Sequence, residues 1–163
     1  MDDRNKDSLN EKLENIVLIP CSGSEYHGEL ARQVAIHLSE KSELSNIISM
    51  TCTTIFFKNV FLGKDNIVEI TRNHLKHSFI VVINGCNTAC TSQIYEHLDI
   101  KPDLIISVQD VIPKQRVNLN DLDAFRKLKK LSDIDQDDLN LVTSHILSEL
   151  EKKGLKIETF NFT

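Results

Sequence analysis

Short runs of consecutive apolar residues punctuate the chain, and each has the length of a strand that is buried on both faces. The clearest run is 79–83, which Asn84 and Gly85 end, and the first run, 15–20, stops at a proline. Such runs, bounded by turn-forming residues, predict five strands. The predicted strands are 15–20, 47–51, 79–83, 103–108 and 155–160.

Between these runs, apolar residues recur at spacings of three and four, which places them on one side of a helix. In the segment 65–76 this stripe consists of Ile67, Ile70 and Leu75. The last predicted helix, 137–153, has acidic residues in its first turn and a glycine at its C-terminal cap, both of which favour helix ends. The predicted helices are 28–41, 65–76, 88–98, a segment around 122–128, and 137–153.

Strands that alternate with helices imply a parallel sheet joined by right-handed crossovers. We therefore predict an α/β fold of three layers, in which helices cover both faces of a mostly parallel, five-stranded sheet. By analogy with flavodoxin-like and Rossmann-like folds, the expected strand order is 2-1-3-4-5. Ligands of such sheets bind beyond the carboxyl ends of the strands, where the strand order reverses. Here that point lies between the first and third strands.

The chain has the size of one domain. Its first fourteen residues are mostly polar or charged, which predicts a flexible leader over 1–14. No repeat, linker or low-complexity tract divides the remainder, so 15–163 is predicted to fold as a single α/β domain.

Charge and hydropathy argue against two classes of partner. The net charge is −5 and the basic residues are spread along the chain, so no nucleic-acid partner is expected. The apolar runs are far shorter than the roughly 20 residues of a membrane span, and the polar start lacks a signal-peptide segment. We expect a cytoplasmic protein, and the sequence leaves open whether its copies form a homo-oligomer.

Four cysteines fall at the predicted carboxyl edge of the sheet. Cys21, Cys52 and Cys86 follow the first, second and third strands, and Cys90 lies one turn into the helix that Cys86 is expected to open. In a reducing compartment, cysteines gathered at one place are more typical of metal ligands than of disulfides. Four thiolates satisfy a tetrahedral zinc ion, so we predict a zinc site formed by Cys21, Cys52, Cys86 and Cys90.

The neighbours of these cysteines suit a thiolate site. Those expected to shape its pocket are Ser22, Gly23, Asn84 and Gly85. The glycines would let the backbone approach the sulfurs, and the Asn84 amide can donate and accept hydrogen bonds. The N-termini of the helices after Cys21 and Cys86 would stabilise the negative charge of the thiolates. The nearest histidine, His27, is expected to be an exposed loop residue.

Three alternatives to a zinc site stay open. In a thiol redox enzyme or switch, Cys86 at a helix start would be the reactive thiolate, and Cys90 or Cys21 would resolve it as a disulfide. Four thiolates also suit an iron–sulfur cluster. The cysteines could also be mere core packing, because free cysteine is among the most often buried residue types. The sequence favours a site without assigning a reaction to it, so it does not decide whether the protein is an enzyme.

Three segments of the chain together carry a resemblance to a known family. They are 19–23 (Ile-Pro-Cys-Ser-Gly), Cys52 after the second strand, and 83–90 (Ile-Asn-Gly-Cys-Asn-Thr-Ala-Cys). Over about 15–111 the chain resembles the DGC-domain family, whose members are regarded as zinc-binding proteins with four cysteines. The resemblance implies that the four cysteines of this chain are the counterparts of those, and it implies no reaction. Asn84 stands where the family usually has the aspartate of its Asp-Gly-Cys motif.

Overall fold

The computed structural model describes residues 12–23, 25–41, 44–52, 58–113 and 133–155. Three sequence predictions fall outside these ranges in whole or in large part. They are the leader up to residue 11, the helix around 122–128, and the closing strand 155–160, of which only Leu155 is described.

Four parallel strands form the sheet in the described ranges. They are β1 (Ile16–Pro20), β2 (Ile48–Met50), β3 (Phe79–Asn84) and β4 (Leu104–Ser107). The strand order is β2-β1-β3-β4, and all three pairings are parallel. The predicted parallel α/β sheet and the order of its first four strands are confirmed. The prediction of five strands is wrong for the described part of the chain.

The helices lie between and after these strands. They are α1 (Tyr26–Glu40), α2 (Asp65–Lys76), α3 (Cys90–His97), α4 (Val108–Val111) and α5 (Gln136–Lys152). At the end of α5 the amide N–H of Leu155 donates to the carbonyl of Leu150 over 3.1 Å. Leu155 therefore completes the helix cap, which is why the predicted fifth strand does not begin there. Among the helices in the described ranges, none has both the length and the apolar composition needed to cross a bilayer.

Helices cover both faces of the sheet, which gives the predicted three layers. On one face, Ile16 and Leu18 of β1 share a buried cluster with residues of α1 and α5, and Leu13 belongs to the same cluster. On the other face, Val17 and Ile19 share a second cluster with residues of α2 and α3. All residues of β1 are buried, as expected for a central strand between two helical layers.

Helix α2 buries only one of the three residues predicted to face the sheet, Leu75. Ile67 and Ile70 are 40% and 69% exposed, whereas Leu75 is 1% exposed. Val68 packs against the same cluster as Leu75, and two turns of helix bring these two side chains onto one line. The helix therefore rests on Val68 and Leu75, and its Ile67 and Ile70 side chains face away from the sheet.

Candidate functional site

Strands β1 and β3 end side by side and place two cysteine-bearing loops next to each other. Pro20 of β1 pairs with Ile83 of β3, and the amide N–H of Cys21 donates to the carbonyl of Ile83 over 2.8 Å. Because β2 pairs on the other side of β1, the strand order reverses here. The reversal between the first and third strands is thus confirmed.

Close backbone contacts hold both loops against the start of α1. A Cβ atom at Gly85 would lie 2.7 Å from both Cα and N of Gly28, and one at Gly28 would lie 2.7 Å from the carbonyl oxygen of Gly23. Such distances are too short for a real Cβ atom, so both contacts need glycine. The loop after β1, the first turn of α1 and the loop after β3 therefore form one continuous backbone wall.

A cavity of about 300 Å³ opens beside this wall. Three cysteines line it: Cys21 after β1, Cys86 after β3, and Cys90 at the start of α3. The remaining lining residues are Ser22, Gly23, Glu25, Gly28, Gly85, Thr91 and Ile94. The cavity thus brings together three of the four cysteines and three of the four pocket residues that the sequence predicts.

Four lining residues are not among those that the sequence predicts for the site, namely Glu25, Gly28, Thr91 and Ile94. Helical spacing could have pointed to Ile94, because it lies four residues after Cys90 and residues so spaced share one face of a helix. No comparable pattern in the sequence marks Glu25 or Thr91.

Gly23 brings the backbone up to the sulfur of Cys21. Its amide N–H donates to Sγ of Cys21 over 3.3 Å, and a Cβ atom at this position would lie 3.2 Å from the same sulfur. The expected approach of backbone to sulfur is therefore present at Gly23, whereas Gly85 approaches the backbone of α1 instead.

Cys86 does not open a helix, and this prediction is wrong. It lies in a turn in which the amide N–H of Ala89 donates to the carbonyl of Cys86 over 3.0 Å, and α3 begins only at Cys90. Ala89 adopts the left-handed conformation, with φ of 52°, and so redirects the chain just before the helix. The partial positive charge of the helix N-terminus consequently lies at Cys90 rather than at Cys86.

Cys52 lies apart from the cavity. It is exposed, follows the short edge strand β2, and is not one of the residues lining the cavity. Cys52 therefore lies at the carboxyl edge of the sheet, as predicted from its position after β2, but not beside the other three cysteines.

None of the four cysteines is fully buried. Cys21 and Cys86 are half-buried, and Cys21 packs against the cluster beneath α1 and α5. Cys52 and Cys90 are exposed, so core packing does not account for these two. Across the described ranges, no group of three or more His, Cys, Asp or Glu side chains is arranged to hold a metal ion. The donor chemistry of the cavity fits a soft metal because three thiols line it, but the side chains must turn towards one another to bind one.

Asn84 stabilises the first turn of α3. This residue is 2% exposed, its Nδ2 donates to Oγ of Ser92 over 2.6 Å, and its Oδ1 accepts the amide N–H of Ser92 over 3.3 Å. That amide is one of the four at a helix N-terminus that lack an intrahelical partner. Asn84 therefore caps the helix from outside and holds the turn that carries Cys90, without itself lining the cavity.

His27 is buried, and its prediction as an exposed loop residue is wrong. Because α1 begins at Tyr26, His27 lies in the first helical turn, where it is 7% exposed. Its Nε2 lies 2.8 Å from the carbonyl oxygen of Ile112, to which the ring N–H can donate. The residue ties α1 to the chain that follows α4.

Fold and cavity together define a class: an α/β protein with a thiol-lined cavity at the point where the order of its parallel strands reverses. The DGC domain matches residues 17–146, from β1 into α5, and so spans every residue that lines the cavity. This chain belongs to the DGC-domain family. No curated protein and no solved structure matches it.

Proposed function

We propose that this protein binds a zinc ion through Cys21, Cys86 and Cys90. The observation that carries the proposal is the convergence of these three thiols, from two separate loops, on one cavity. Thiolates are soft ligands that favour zinc over hard cations such as magnesium and calcium. The four-cysteine pattern shared with the DGC-domain family supports the same proposal.

Zinc binding requires the thiols to move closer together. Zn–S bonds of about 2.3 Å bring ligating sulfurs to within roughly 4 Å of one another, and within the described residues no such group is formed. Rotation about χ1 moves each sulfur, and Cys21 would lose the hydrogen bond from the Gly23 amide as it turns. The proposed site therefore forms on binding, between loops whose backbones are already in contact.

The proposal makes Cys52 dispensable. Three protein ligands with one open position are typical of catalytic zinc, whereas four protein ligands are typical of structural zinc. With an open position, zinc would supply a Lewis acid to a substrate or water in the cavity. Glu25, Thr91 and Ile94 line the same cavity and would be available to contact such a substrate.

Elemental analysis of untagged, anaerobically purified protein tests the proposal. We expect about one zinc per native chain, loss of the metal in Cys86→Ser and in Cys90→Ser, and its retention in the matched control Cys52→Ser. A native chain that binds no added zinc while its thiols are reduced would refute the proposal. Visible absorbance of the same preparation would instead indicate an iron–sulfur cluster.

A second candidate function is thiol redox chemistry, favoured by the position of Cys86 and Cys90, which form no disulfide, on the same cavity. Oxidation would join their sulfurs and release two protons, while two electrons reduce an external disulfide to two thiols. Mass spectrometry after equilibration with glutathione redox buffers tests this. A reversible loss of two hydrogens between Cys86 and Cys90, in protein that binds no zinc, would select the redox function.

A further inference from the structure

A second cavity, of about 450 Å³, opens at the opposite edge of the sheet from the cysteines. Its lining comes from the chain just before β1, the end of α2, the start of β3, and the turn that leads towards β4. These segments all lie at the amino ends of strands, so this cavity and the cysteine cavity are separated by the length of the sheet.

The floor of this second cavity is apolar. Its side chains are Leu75, Ile80, Leu98 and Ile100, each no more than 9% exposed and all belonging to the cluster beneath α2 and α3. The apolar part of a ligand can pack against such side chains without removing a polar group of the protein from water.

The rim of the same cavity is basic. Four cationic side chains line it, namely Lys12, Arg72, Lys76 and Lys101, and Asp99 is the one acidic residue among the lining residues. Such a concentration of positive charge is unexpected in a chain whose net charge is −5. Arg72 and Lys76 are four residues apart on α2 and therefore project from the same side of the helix.

One of the four cations is already neutralised, and this fixes part of the rim. Nζ of Lys12 lies 3.2 Å from Oδ1 of Asp103, whose Oδ2 accepts the amide N–H of Ile80 over 2.9 Å. In the described part of the chain, no ion pair engages Arg72, Lys76 or Lys101. The four cations and the two carboxylates of Asp99 and Asp103 together give the rim a net charge of +2.

We propose that this cavity binds a small phosphate monoester whose organic part is apolar. A phosphate monoester carries a charge of about −2 near neutral pH, which balances the two positive charges of the rim. The planar guanidinium of Arg72 can hold two phosphate oxygens at once, and Lys76 and Lys101 add ammonium donors. The apolar floor receives the organic part of the ligand.

The cavity suits a small molecule better than nucleic acid. Nucleic-acid surfaces carry an extended basic stripe that follows the phosphate backbone, whereas here the basic residues line one open cavity. A volume of about 450 Å³ lies within the usual range for pockets that bind small organic ligands.

Titration of the isotopically labelled full chain with phenyl phosphate, followed by amide chemical shifts, tests the proposal. We expect saturable shifts confined to 72–76 and 98–101. The double variant Arg72→Gln/Lys76→Gln should weaken binding about tenfold or more, since it removes two charge-assisted contacts. The matched control Lys58→Gln/Lys153→Gln removes the same charge from exposed positions outside the cavity and should leave binding within about twofold of the native value.

Comparison ligands decide the chemical class. Benzoate, with a single charge, and inorganic phosphate, without an apolar part, should both bind more weakly than phenyl phosphate. The proposal fails if phenyl phosphate gives no saturable shifts, or if both double variants weaken its binding equally, which would indicate only the general charge of the surface. Equal binding of benzoate would overturn the assignment to phosphate, and equal binding of inorganic phosphate would overturn the role of the floor.

Discussion

Gly85 and Gly28 touch through their backbones alone, so the position of the loop after β3 depends on the absence of two side chains. The methyl group of Gly85→Ala would lie 2.7 Å from backbone atoms of Gly28. Because backbone cannot rotate away as a side chain does, we expect this substitution to lower the free energy of unfolding by about 2–3 kcal/mol. Chemical denaturation of the native and variant chains measures the change.

The matched control for this prediction is Gly63→Ala. Nothing lies within 4 Å of a Cβ atom at Gly63, but its φ is +61°, so alanine there is strained without being crowded. The expected loss is only about 1 kcal/mol. Equal losses at the two positions would mean that crowding at Gly85 contributes nothing.

Two hydrogen bonds join Asn84 to Ser92, and their contribution to stability can be measured. Asn84→Ala leaves the amide of Ser92 without its partner at the helix N-terminus, so we expect a loss of about 2 kcal/mol in the free energy of unfolding. In a double-mutant cycle with Ser92→Ala, the Oγ contact should appear as a coupling energy of about 1 kcal/mol. A coupling near zero would show that the 2.6 Å contact between the two side chains does not contribute to stability.

At the residue scale, the sequence predicts where the candidate site lies better than it predicts the contacts of its residues. Three cysteines reach one cavity because parallel strands end at a common edge, and the position of a strand end can be predicted from an apolar run. The turn at Cys86 could not be predicted, because it depends on a left-handed alanine at position 89, a conformation that alanine rarely adopts. The capping role of Asn84 likewise depends on a contact across eight residues of chain.

The side-chain hydroxyl of Tyr26 joins the N-termini of helices α1 and α5. The hydroxyl of Tyr26 donates to Oδ2 of Asp138 over 2.7 Å and accepts the amide N–H of Asp135 over 3.2 Å. Tyr26→Phe removes both bonds, one of them to a charged group, and should lower the free energy of unfolding by about 1–2 kcal/mol. In an Asp138→Asn background the same substitution should have a smaller effect, and an undiminished effect would contradict the role of the carboxylate.

Helix α1 also contains a titratable group whose environment has consequences for pH dependence. Burial, and secondarily the positive charge of Lys41, lowers the pKa of His37 below its ordinary value. The unfolded chain, in which histidine titrates at about 6.5, therefore binds more protons than the folded chain just below that pH. The contribution of His37 to stability is thus fully present above about pH 6.5 and is lost as the pH falls towards the lowered folded-state pKa.

The variant His37→Gln tests this pH dependence. Between about pH 7 and about pH 5.5, we expect the free energy of unfolding to fall less in the variant than in the native chain, because glutamine takes up no proton. Denaturation at a series of pH values measures both slopes. Parallel slopes would show that the environment of His37 does not affect stability in this range.

Helices and strands could be predicted wherever one apolar pattern decided the structure. The bounds of α1, α2, α3 and α5 lie within two residues of their predicted positions. The buried face of α2 was predicted correctly at Leu75 and wrongly at Ile67 and Ile70, because its apolar residues lie on two sides of the helix and only the side with Leu75 meets the sheet. The predicted fifth strand does not begin at Leu155, because this residue takes part in a helix cap, and 156–160 lie outside the described ranges.

For the whole molecule, occupation of the cysteine cavity should raise global stability. A ligand that binds only the folded state, at a free concentration about 100 times its Kd, raises the free energy of unfolding by about 2.7 kcal/mol. We therefore expect zinc to raise the melting temperature of the reduced native chain and of Cys52→Ser, but not that of Cys86→Ser. Scanning calorimetry at fixed free zinc measures these changes, and equal shifts in all three proteins would point to binding elsewhere.

The basic cavity illustrates what the sequence could not reveal about the whole molecule. Its four cations come from three separate stretches of chain, 12, 72–76 and 101, and each stretch alone has an ordinary charge. Only the order of the strands brings them together. Composition therefore describes the average charge of this chain without predicting how the fold distributes it.

The position of the two cysteine loops also has a consequence for the folding pathway. Cys21 and Cys86 follow strands that are neighbours in the sheet but are separated in the chain by β2 and α2. Parallel pairing of β1 with β3 closes a long loop, a step that is slow and depends on much of the fold being present. During synthesis the cavity can form only after β3 has emerged and paired, so the nascent chain exposes unpaired thiols until that moment.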